Sequence, residues 1–176
     1  MLRFFKASEK DLKQFIDIRL EMLKEVNSLN EDHIFSDEFL KITENYLKSG
    51  DQTTLLVEAE GIIGCATICY YNVLPTYSHP TGKRAHIMNV YTKKEFRGQG
   101  IGRTLLELLI EEAKNRDVTL ITLDATEQGK KLYKGLGFYE TDEGMILDIP
   151  RLLQDKLDHT GIYANGGPHC CGCGNR

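Results

Sequence analysis

Residues 89–113 read N-V-Y-T-K-K-E-F-R-G-Q-G-I-G-R-T-L-L-E-L-L-I-E-E-A, which predicts a strand that breaks at alternate glycines and continues as a helix. Apolar residues recur after the break at helical spacing: Ile101, Leu105, Leu106, Leu109, Ile110 and Ala113. A helix that begins in a glycine turn directs several unpaired N–H groups, and the positive end of its dipole, at one point. The stretch therefore predicts a site for a phosphate or pyrophosphate group.

The turn contains Gly98, Gly100 and Gly102, and Arg97 and Arg103 flank it with charged donors for phosphate oxygens. No Gly-Lys-Ser/Thr follows, so it is not a Walker loop, and G-x-G-x-G differs from the G-x-G-x-x-G of dinucleotide-binding folds. Both differences count against an unrelated nucleotide-binding α/β domain. An ordinary glycine-rich turn between a strand and a helix is the competing interpretation.

The context of the turn resembles a known family. Residues 97–102, R-G-Q-G-I-G, resemble the Q/R-x-x-G-x-G/A signature of the GNAT N-acetyltransferases, although Lys94 stands where a proline is common. The signature cradles the pyrophosphate of acetyl-CoA, so the resemblance implies acetyl-CoA as cosubstrate. The implied pyrophosphate-binding residues are Arg97, Gly98, Gln99, Gly100, Ile101, Gly102 and Arg103. Pantetheine contacts are implied for the main chain of Val90, Tyr91 and Thr92, and for Thr126, where many relatives carry asparagine.

A second motif lies at 129–138, G-K-K-L-Y-K-G-L-G-F, and resembles the family's closing motif A-x-x-L-Y-x-x-x-G-F, with Gly129 in place of alanine. By this resemblance, Tyr133 is the general acid that protonates the coenzyme A thiolate. A phenol suits that role because its ordinary pKa of about 10 is close to that of an alkyl thiol. Without the motif, packing would explain a helical tyrosine equally well.

The predicted order of elements is strand, two helices, three strands, helix, strand, helix and two strands. Residues 2–149 thereby resemble the GNAT fold, an α/β fold with a mixed central sheet of about six to seven strands and four helices. In that fold the two central parallel strands splay apart and the pantetheine arm enters the gap. Residues 138–141 and 145–149 are predicted as the final hairpin. Residues 1–149 form the predicted acetyltransferase domain, and 150–176 a flexible Gly/Cys-rich extension.

The identity of the general base is left open by the sequence. Some relatives have a glutamate on the strand before the turn, but Met88 occupies that position here. Asp124, at the end of an apolar strand, would relay a proton if buried, or else cap the next helix. His86 lies on the strand before the turn, and histidine exchanges protons near neutral pH. Glu21 and Glu25 lie on the first helix, where charges usually form the solvated face.

Aromatic residues near the predicted long loop are candidates for an acceptor pocket: Tyr70, Tyr71, Tyr77 and His79. Aromatic walls suit a cationic amine, but packing explains each residue equally well. The sequence predicts an acetyl-CoA-dependent N-acetyltransferase whose acceptor is the primary amine of a small molecule, by direct attack. The alternatives are a protein or peptide N-acetyltransferase and a non-catalytic acyl-CoA sensor, which the missing strand glutamate favours.

Composition limits the classes further. A chain of 176 residues with 41% hydrophobic and 27% charged residues suits one globular domain. A net charge of -4 disfavours a nucleic-acid partner. No apolar run is long enough for a membrane span, and the first residues are too few for a signal peptide, so a cytoplasmic protein is expected. Family resemblance leaves a homodimer open.

The five cysteines do not form the disulfide framework of a small secreted protein. Cys65 and Cys69 lie in an apolar run and are predicted as core residues. Soft metal ligands crowd the C-terminus, namely His169, Cys170, Cys171 and Cys173. Zinc or copper would suit them, but structural zinc usually has two separated ligand pairs, and oxidation or adventitious metal competes. No metal site is predicted.

Overall fold

The computed structural model describes residues 1–141, 145 and 147–150. Its elements are β1 (Arg3–Lys6), α1 (Leu12–Val26), α2 (Asp37–Ser49), β2 (Gln52–Glu58), β3 (Ile62–Asn72), β4 (Lys83–Thr92), α3 (Ile101–Asn115), β5 (Leu120–Leu123) and α4 (Glu127–Lys134). Single 3-10 turns at Glu9–Asp11 and Lys94–Phe96 precede α1 and α3. The strands lie in sequence order, antiparallel from β1 to β4, with β5 parallel to β4. The mixed sheet and the four α-helices among the described residues confirm the predicted fold class.

Each face of the sheet is covered by its own hydrophobic core. On the side of the sheet that α1 covers, here called the α1 face, the core consists of Phe15, Ile18, Met22, Leu56, Cys65 and Tyr91. On the opposite side, which α3 covers and which is here called the α3 face, the larger core includes Val57, Ile63, Ile68, Ile87, Leu105, Leu106 and Leu109. The three α3 leucines are fully buried, and removing each from water contributes about 2 kcal/mol. These contacts hold the start of α3 firmly against the end of β4.

Side-chain caps fix the starts of two helices. The Ser36 hydroxyl accepts a hydrogen bond from the Phe39 amide at the start of α2. The Thr126 hydroxyl accepts one from the Gly129 amide at the start of α4. A cap of this kind is worth about 1 kcal/mol because it satisfies an amide that the helix leaves unpaired. Thr126, and not Asp124, is therefore the cap of α4.

The prediction of six to seven strands is wrong for the described residues, which form five. The first half of the predicted final hairpin, 138–141, contains no strand, and neither do the described positions 145, 147 and 148. Phe138 turns inward against Tyr133, whereas Tyr139 is 79% and Met145 100% exposed. The described residues of the predicted hairpin therefore form no strand face against the core, and β5 remains the last strand of the described sheet.

The C-terminal extension after residue 150 lies outside the described residues, and so does the His169–Cys173 cluster. Within the described part of the chain, no three His, Cys, Asp or Glu side chains come together as a metal site. No helix in that part combines the length and apolar character needed to cross a bilayer.

Candidate active site

The ladder between β4 and β5 ends early. It pairs Arg84 with Leu120 at one end and Ile87 with Leu123 at the other. β4 continues to Thr92, so residues 88–92 have no strand partner on that side among the described residues. The ladder therefore ends in the part of β4 where the resemblance predicts that the central parallel strands splay apart. The gap exposes backbone polar groups that can pair with an extended, amide-containing chain.

A bulge in β4 lies just beyond the end of the β4–β5 ladder. Between the pairs Cys65–Tyr91 and Thr67–Met88, one β3 residue faces two β4 residues, Asn89 and Val90. Asn89 has a φ of 59°, a left-handed conformation that asparagine tolerates better than most residues. Bulges of this kind bend the strand that carries them.

The side chain of Asn89 is held from two other elements. Nη1 of Arg19, on α1, donates to Asn89 Oδ1 at 2.7 Å, and Asn89 Nδ2 donates to Cys65 Sγ at 3.4 Å. Sequence reasoning assigned no role to Asn89 or Arg19. The available signal was a polar, turn-forming residue in the middle of an otherwise apolar strand.

The glycine turn presents an open cradle of amides. Gly98 and Gly100 have φ values of 78° and 80°, and a Cβ built on either would meet no atom within 4 Å. The first helical bond runs from the Thr104 amide to the Gly100 carbonyl at 3.0 Å. The amides of residues 98–103 precede that bond and have no acceptor among the described residues. Open space and unpaired N–H groups fit an anionic group at this point.

Gly102 has a different role in the turn. A Cβ there would lie 3.3 Å from Leu132 Cδ2, so the missing side chain lets α3 approach α4 closely. Of the glycines in the signature, two open the cradle and the third allows the helices to pack. Ile101 is buried beneath them and anchors the turn to the α3 face.

The two flanking arginines lie where the signature predicts, but each already has partners. Arg97 donates from Nη2 to Glu25 Oε1 and from Nε to the Thr92 carbonyl, both at 2.8 Å. Arg103 donates to Glu107 Oε1 and to the Gly135 carbonyl, both at 3.1 Å. A phosphate at the turn would therefore compete with carboxylates for these guanidinium groups.

Glu25 belongs to a network that sequence reasoning missed. The Tyr91 hydroxyl lies 3.0 Å from Glu21 Oε1 and 3.2 Å from Glu25 Oε2, so either carboxylate can accept a hydrogen bond from it. Lys93 pairs with Glu21 at 3.2 Å. Glu21 and Glu25, four residues apart on α1, thus face the end of β4 and the turn, and do not form a purely solvated face.

Electrostatics tie this network together. Burial pushes the pKa of Glu25 upward, but the hydrogen bond and charge of Arg97, with help from Tyr91, outweigh it, so the pKa lies below its usual value. Burial, followed by the two carboxylates, raises the pKa of Tyr91 well above that of a free phenol. At neutral pH the cluster therefore contains an ionised Glu25 and a neutral Tyr91.

Tyr133 is half-buried on α4, with its ring against Phe138 at a centroid distance of 6.0 Å. Burial raises the pKa of its phenol. A Cβ at Gly129 would lie only 2.7 Å from the Tyr133 ring atom Cε2. The glycine that replaces the family's usual alanine therefore makes room for the ring against the first turn of α4.

The structure brings together two of the candidate bases. His86 Nδ1 lies 2.9 Å from Thr122 Oγ1, and His86 Nε2 lies 3.8 Å from Asp124 Oδ2. The His86 side chain is 30% exposed and that of Asp124 is 84% exposed. Asp124 is thus not buried, because β5 ends one residue earlier. His86 belongs to the last two residue pairs of the β4–β5 ladder, so both groups lie at the mouth of the gap.

The aromatic residues proposed for an acceptor pocket are dispersed. Tyr70 packs on the α3 face, with the Arg116 guanidinium 3.9 Å above its ring, which agrees with the packing interpretation. Tyr77 is fully exposed in the loop after β3, and Tyr71 is partly exposed at the end of that strand. His79 belongs to the same loop, where its amide and carbonyl both bond to Thr76.

Comparison with known proteins gives the class. The family described as "Acetyltransferase (GNAT) family" matches residues 20–138, and the chain belongs to this family. It is 25% identical over 122 residues to N-acetyltransferase family 8 member 2 of Rattus norvegicus, a match that covers 67% of this chain and 52% of that one. It is 29% identical over 89 residues to thialysine N-epsilon-acetyltransferase of Mus musculus, covering 49% and 51%.

The chain thus spans about half the length of these two curated relatives. The similarity to a solved structure is more complete. A predicted acetyltransferase with acetyl-CoA from Clostridium acetobutylicum superimposes with a TM-score of 0.76 at 31% identity. That match covers 86% of this chain and 98% of the other. The shared fold thus includes most of the described elements, with the glycine turn and the closing tyrosine motif both inside the family match.

Proposed function

We propose that this GNAT-family acetyltransferase uses acetyl-CoA to acetylate the primary amine of a small molecule by direct attack. The observation that carries the proposal is the open cradle of amides at residues 98–103, next to the unpaired edge of β4 at 88–92. One part suits a pyrophosphate, and the other suits an amide-containing arm. The relatives support it too, since one was solved with acetyl-CoA and another is named for an amine substrate.

The residues of this chain divide the work. The amides of residues 98–103 would hold the pyrophosphate, and the main chain of Val90 to Thr92, which has no β5 partner, would pair with the pantetheine arm. Acetyl-CoA supplies a thioester, an activated acyl group that a neutral amine can attack without a covalent enzyme intermediate. Holding both reactants in one gap converts a bimolecular encounter into a unimolecular step, which can supply several kcal/mol of the barrier.

Tyr133 keeps a proton ready for the departing sulfur. Burial raises the pKa of its phenol, so the group stays protonated throughout the neutral range. General acid catalysis of this kind contributes about 10²- to 10⁴-fold to a rate. Gly129 supports the role because it leaves space for the ring in its present position.

A peptide or protein amine is the second candidate, and one observation favours it. Beside the gap, Met88 and Asp124 are both exposed on the α1 face. Of two surface hollows, one of about 210 Å³ lies beside Ser8 and Leu47, and one of about 200 Å³, lined by Glu21 and Lys93, lies near the end of β4. An open approach to the gap would admit an extended peptide as readily as a small amine.

The test is a panel of amines incubated with acetyl-CoA and the full chain, with release of free thiol as the readout. Polyamines, amino acids, aminoglycosides and short peptides ending in lysine or a free α-amine should all be included. We expect turnover with at least one small amine. Turnover of peptides alone would replace the main proposal with the second candidate.

Binding is measured in parallel by calorimetry with coenzyme A. Coenzyme A binding without transfer to any amine would identify a non-catalytic acyl-CoA sensor. Absence of both binding and transfer would contradict the proposal as a whole.

A further inference from the structure

We infer that His86 and Asp124 together form the site for the primary ammonium group of the acceptor, with Asp124 attracting it and His86 accepting its proton. The inference rests on the proposed function and adds to it the general base and the recognition of the amine. Met88 occupies the position of the strand glutamate used by some relatives, so the base must come from elsewhere. The observations that assign it here are the hydrogen bonds and distances around the imidazole.

The hydrogen bond to Thr122 fixes which nitrogen of His86 is free. Thr122 Oγ1 can donate to the Ala85 carbonyl at 3.4 Å, which leaves its oxygen to accept from His86 Nδ1 at 2.9 Å. A neutral imidazole has one N–H group, so a proton on Nδ1 leaves Nε2 with a lone pair. That lone pair belongs to the nitrogen that faces Asp124.

Two acceptors therefore face each other without a donor between them. His86 Nε2 and Asp124 Oδ2 are 3.8 Å apart, too far for a hydrogen bond and close enough for one nitrogen to reach both. A charged N–H donor sits about 2.8 Å from its acceptor, and two points 3.8 Å apart can share one neighbour at that distance. An ammonium group, with three N–H donors, satisfies both acceptors and retains a third donor.

The position between His86 Nε2 and Asp124 Oδ2 is accessible, and its surroundings favour a cation there. Asp124 has no other cation within ion-pair distance in the part of the chain that the structure describes. The groups nearest to His86 are Arg84 on the same strand face, Cys69 opposite it on β3, and Thr122 and Asp124 on β5. From α2, Tyr46 interacts with Cys69, and the pKa of its phenol is raised to about 12 by burial and by that thiol.

The proton balance follows from these roles. The ammonium gives its first proton to His86 Nε2, and the freed lone pair forms the C–N bond to the acyl carbon. The C–S bond breaks, and its electron pair leaves with the sulfur, which takes the proton of Tyr133. The second amine proton, lost as the amide forms, replaces the one that Tyr133 gave up. His86 then releases its proton to solvent.

The test compares three variants on the best amine of the panel, at saturating acetyl-CoA. Asp124→Asn should raise KM for the amine about tenfold while kcat stays within about threefold, because the carboxylate attracts but does not take the proton. His86→Gln should lower kcat about 100-fold and abolish the fall in rate toward acidic pH. Asp117→Asn is the matched control, another exposed aspartate beside β5, in a left-handed conformation that asparagine tolerates.

Two readouts do not depend on turnover. Calorimetry should give the same coenzyme A affinity for all four proteins, which separates this inference from the proposed function. Long-range ¹H–¹⁵N spectra, with the His86 signals assigned through the glutamine variant, should show the Nδ1-protonated tautomer. Thr122→Val should lose that tautomer preference, and Thr122→Ser should restore it.

Unchanged amine KM in Asp124→Asn, together with unchanged kcat and pH profile in His86→Gln, would overturn the inference while the wild type still transfers acetyl groups. An Nε2-protonated tautomer would overturn the assigned base. If the wild type does not bind coenzyme A, the proposed function fails first, and the inference fails with it.

Discussion

The glycine turn and the His86–Asp124 pair are the two halves of the proposed site, and they are built in opposite ways. The turn is contained in residues 97–103, and its shape comes from two glycines with positive φ and the start of α3. The pair joins β4 to β5 and depends on the register that sets His86 opposite Thr122. A site within one short segment can be predicted from the order of residues, whereas a site shared between strands needs their register. The carrier side of this enzyme is therefore encoded locally, and the acceptor side is encoded by the fold.

Tyr133 is the point where the two halves should meet, and its removal carries the largest expected effect. Tyr133→Phe should lower kcat about 100-fold with little change in coenzyme A affinity, because the ring remains and the proton is lost. Since burial raises the pKa of the phenol, wild-type activity should not fall through loss of this proton below about pH 10. Steady-state rates across pH 6–10 measure both.

The matched control for that change is Tyr139→Phe, which removes a hydroxyl from an exposed ring just after the closing motif. Its kcat should stay near that of the wild type. Equal turnover of Tyr133→Phe and the wild type would remove the tyrosine from the mechanism.

Substitutions of Asn89 test whether the β4 bulge depends on contacts with distant parts of the chain. Asn89→Ala removes the acceptor of the Arg19 hydrogen bond and places alanine in a left-handed conformation, so it should lower the free energy of unfolding by about 2 kcal/mol. Asn89→Gly restores the backbone freedom but not the hydrogen bonds, and should recover part of the loss. Urea denaturation measures both, and an Asn89→Ala protein as stable as the wild type would contradict this role.

Coenzyme A binding should weaken when a single residue of the glycine turn is changed. Gly100→Ala forces alanine to a φ of 80° and puts a methyl group into the open cradle, so coenzyme A binding should weaken about tenfold. Gly61→Ala is the control, because Gly61 also has a positive φ and open space around it but lies in the β2–β3 hairpin. If both variants bind coenzyme A equally, the cradle does not hold the carrier.

The smallest effect is expected at the flank of the turn, at the Arg97–Glu25 pair. Glu25→Gln removes a carboxylate that competes for Arg97 and repels a nearby anion, so coenzyme A should bind about two- to fivefold more tightly at low salt. Arg97→Ala should weaken binding. Calorimetry at two salt concentrations separates the effect of the Glu25 charge from that of its contact with Arg97. Weaker coenzyme A binding by Glu25→Gln would mean that the Arg97–Glu25 pair positions the turn.

The fold and the carrier side followed from sequence because their signals are local. Helical spacing after the turn, the caps Ser36 and Thr126, and the glycine pattern each act within a few residues. The final hairpin was predicted wrongly, since the described residues of 138–141 and 145–149 include no strand and several of them are exposed. A segment forms a strand of the sheet only if one of its faces has a core to cover.

The acceptor side was recovered only in pieces, for a related reason. His86 and Asp124 were each recognised as candidates, but their proximity depends on a parallel register that pairs residues 36 positions apart along the chain, such as His86 and Thr122. The links from α1 to the turn, through Glu25 and Arg97, also cross more than 70 residues. Contacts of this range leave no periodic signal in the sequence.

One measurement tests the central claim most directly: the ¹H–¹⁵N spectrum of the protein titrated with coenzyme A. The amides of residues 98–103 should show the largest shifts, those of Val90 to Thr92 should follow, and Gly61 in the distant hairpin should not move. Binding that leaves the six turn amides unshifted would contradict the account, because the carrier would then be held by some other part of the molecule.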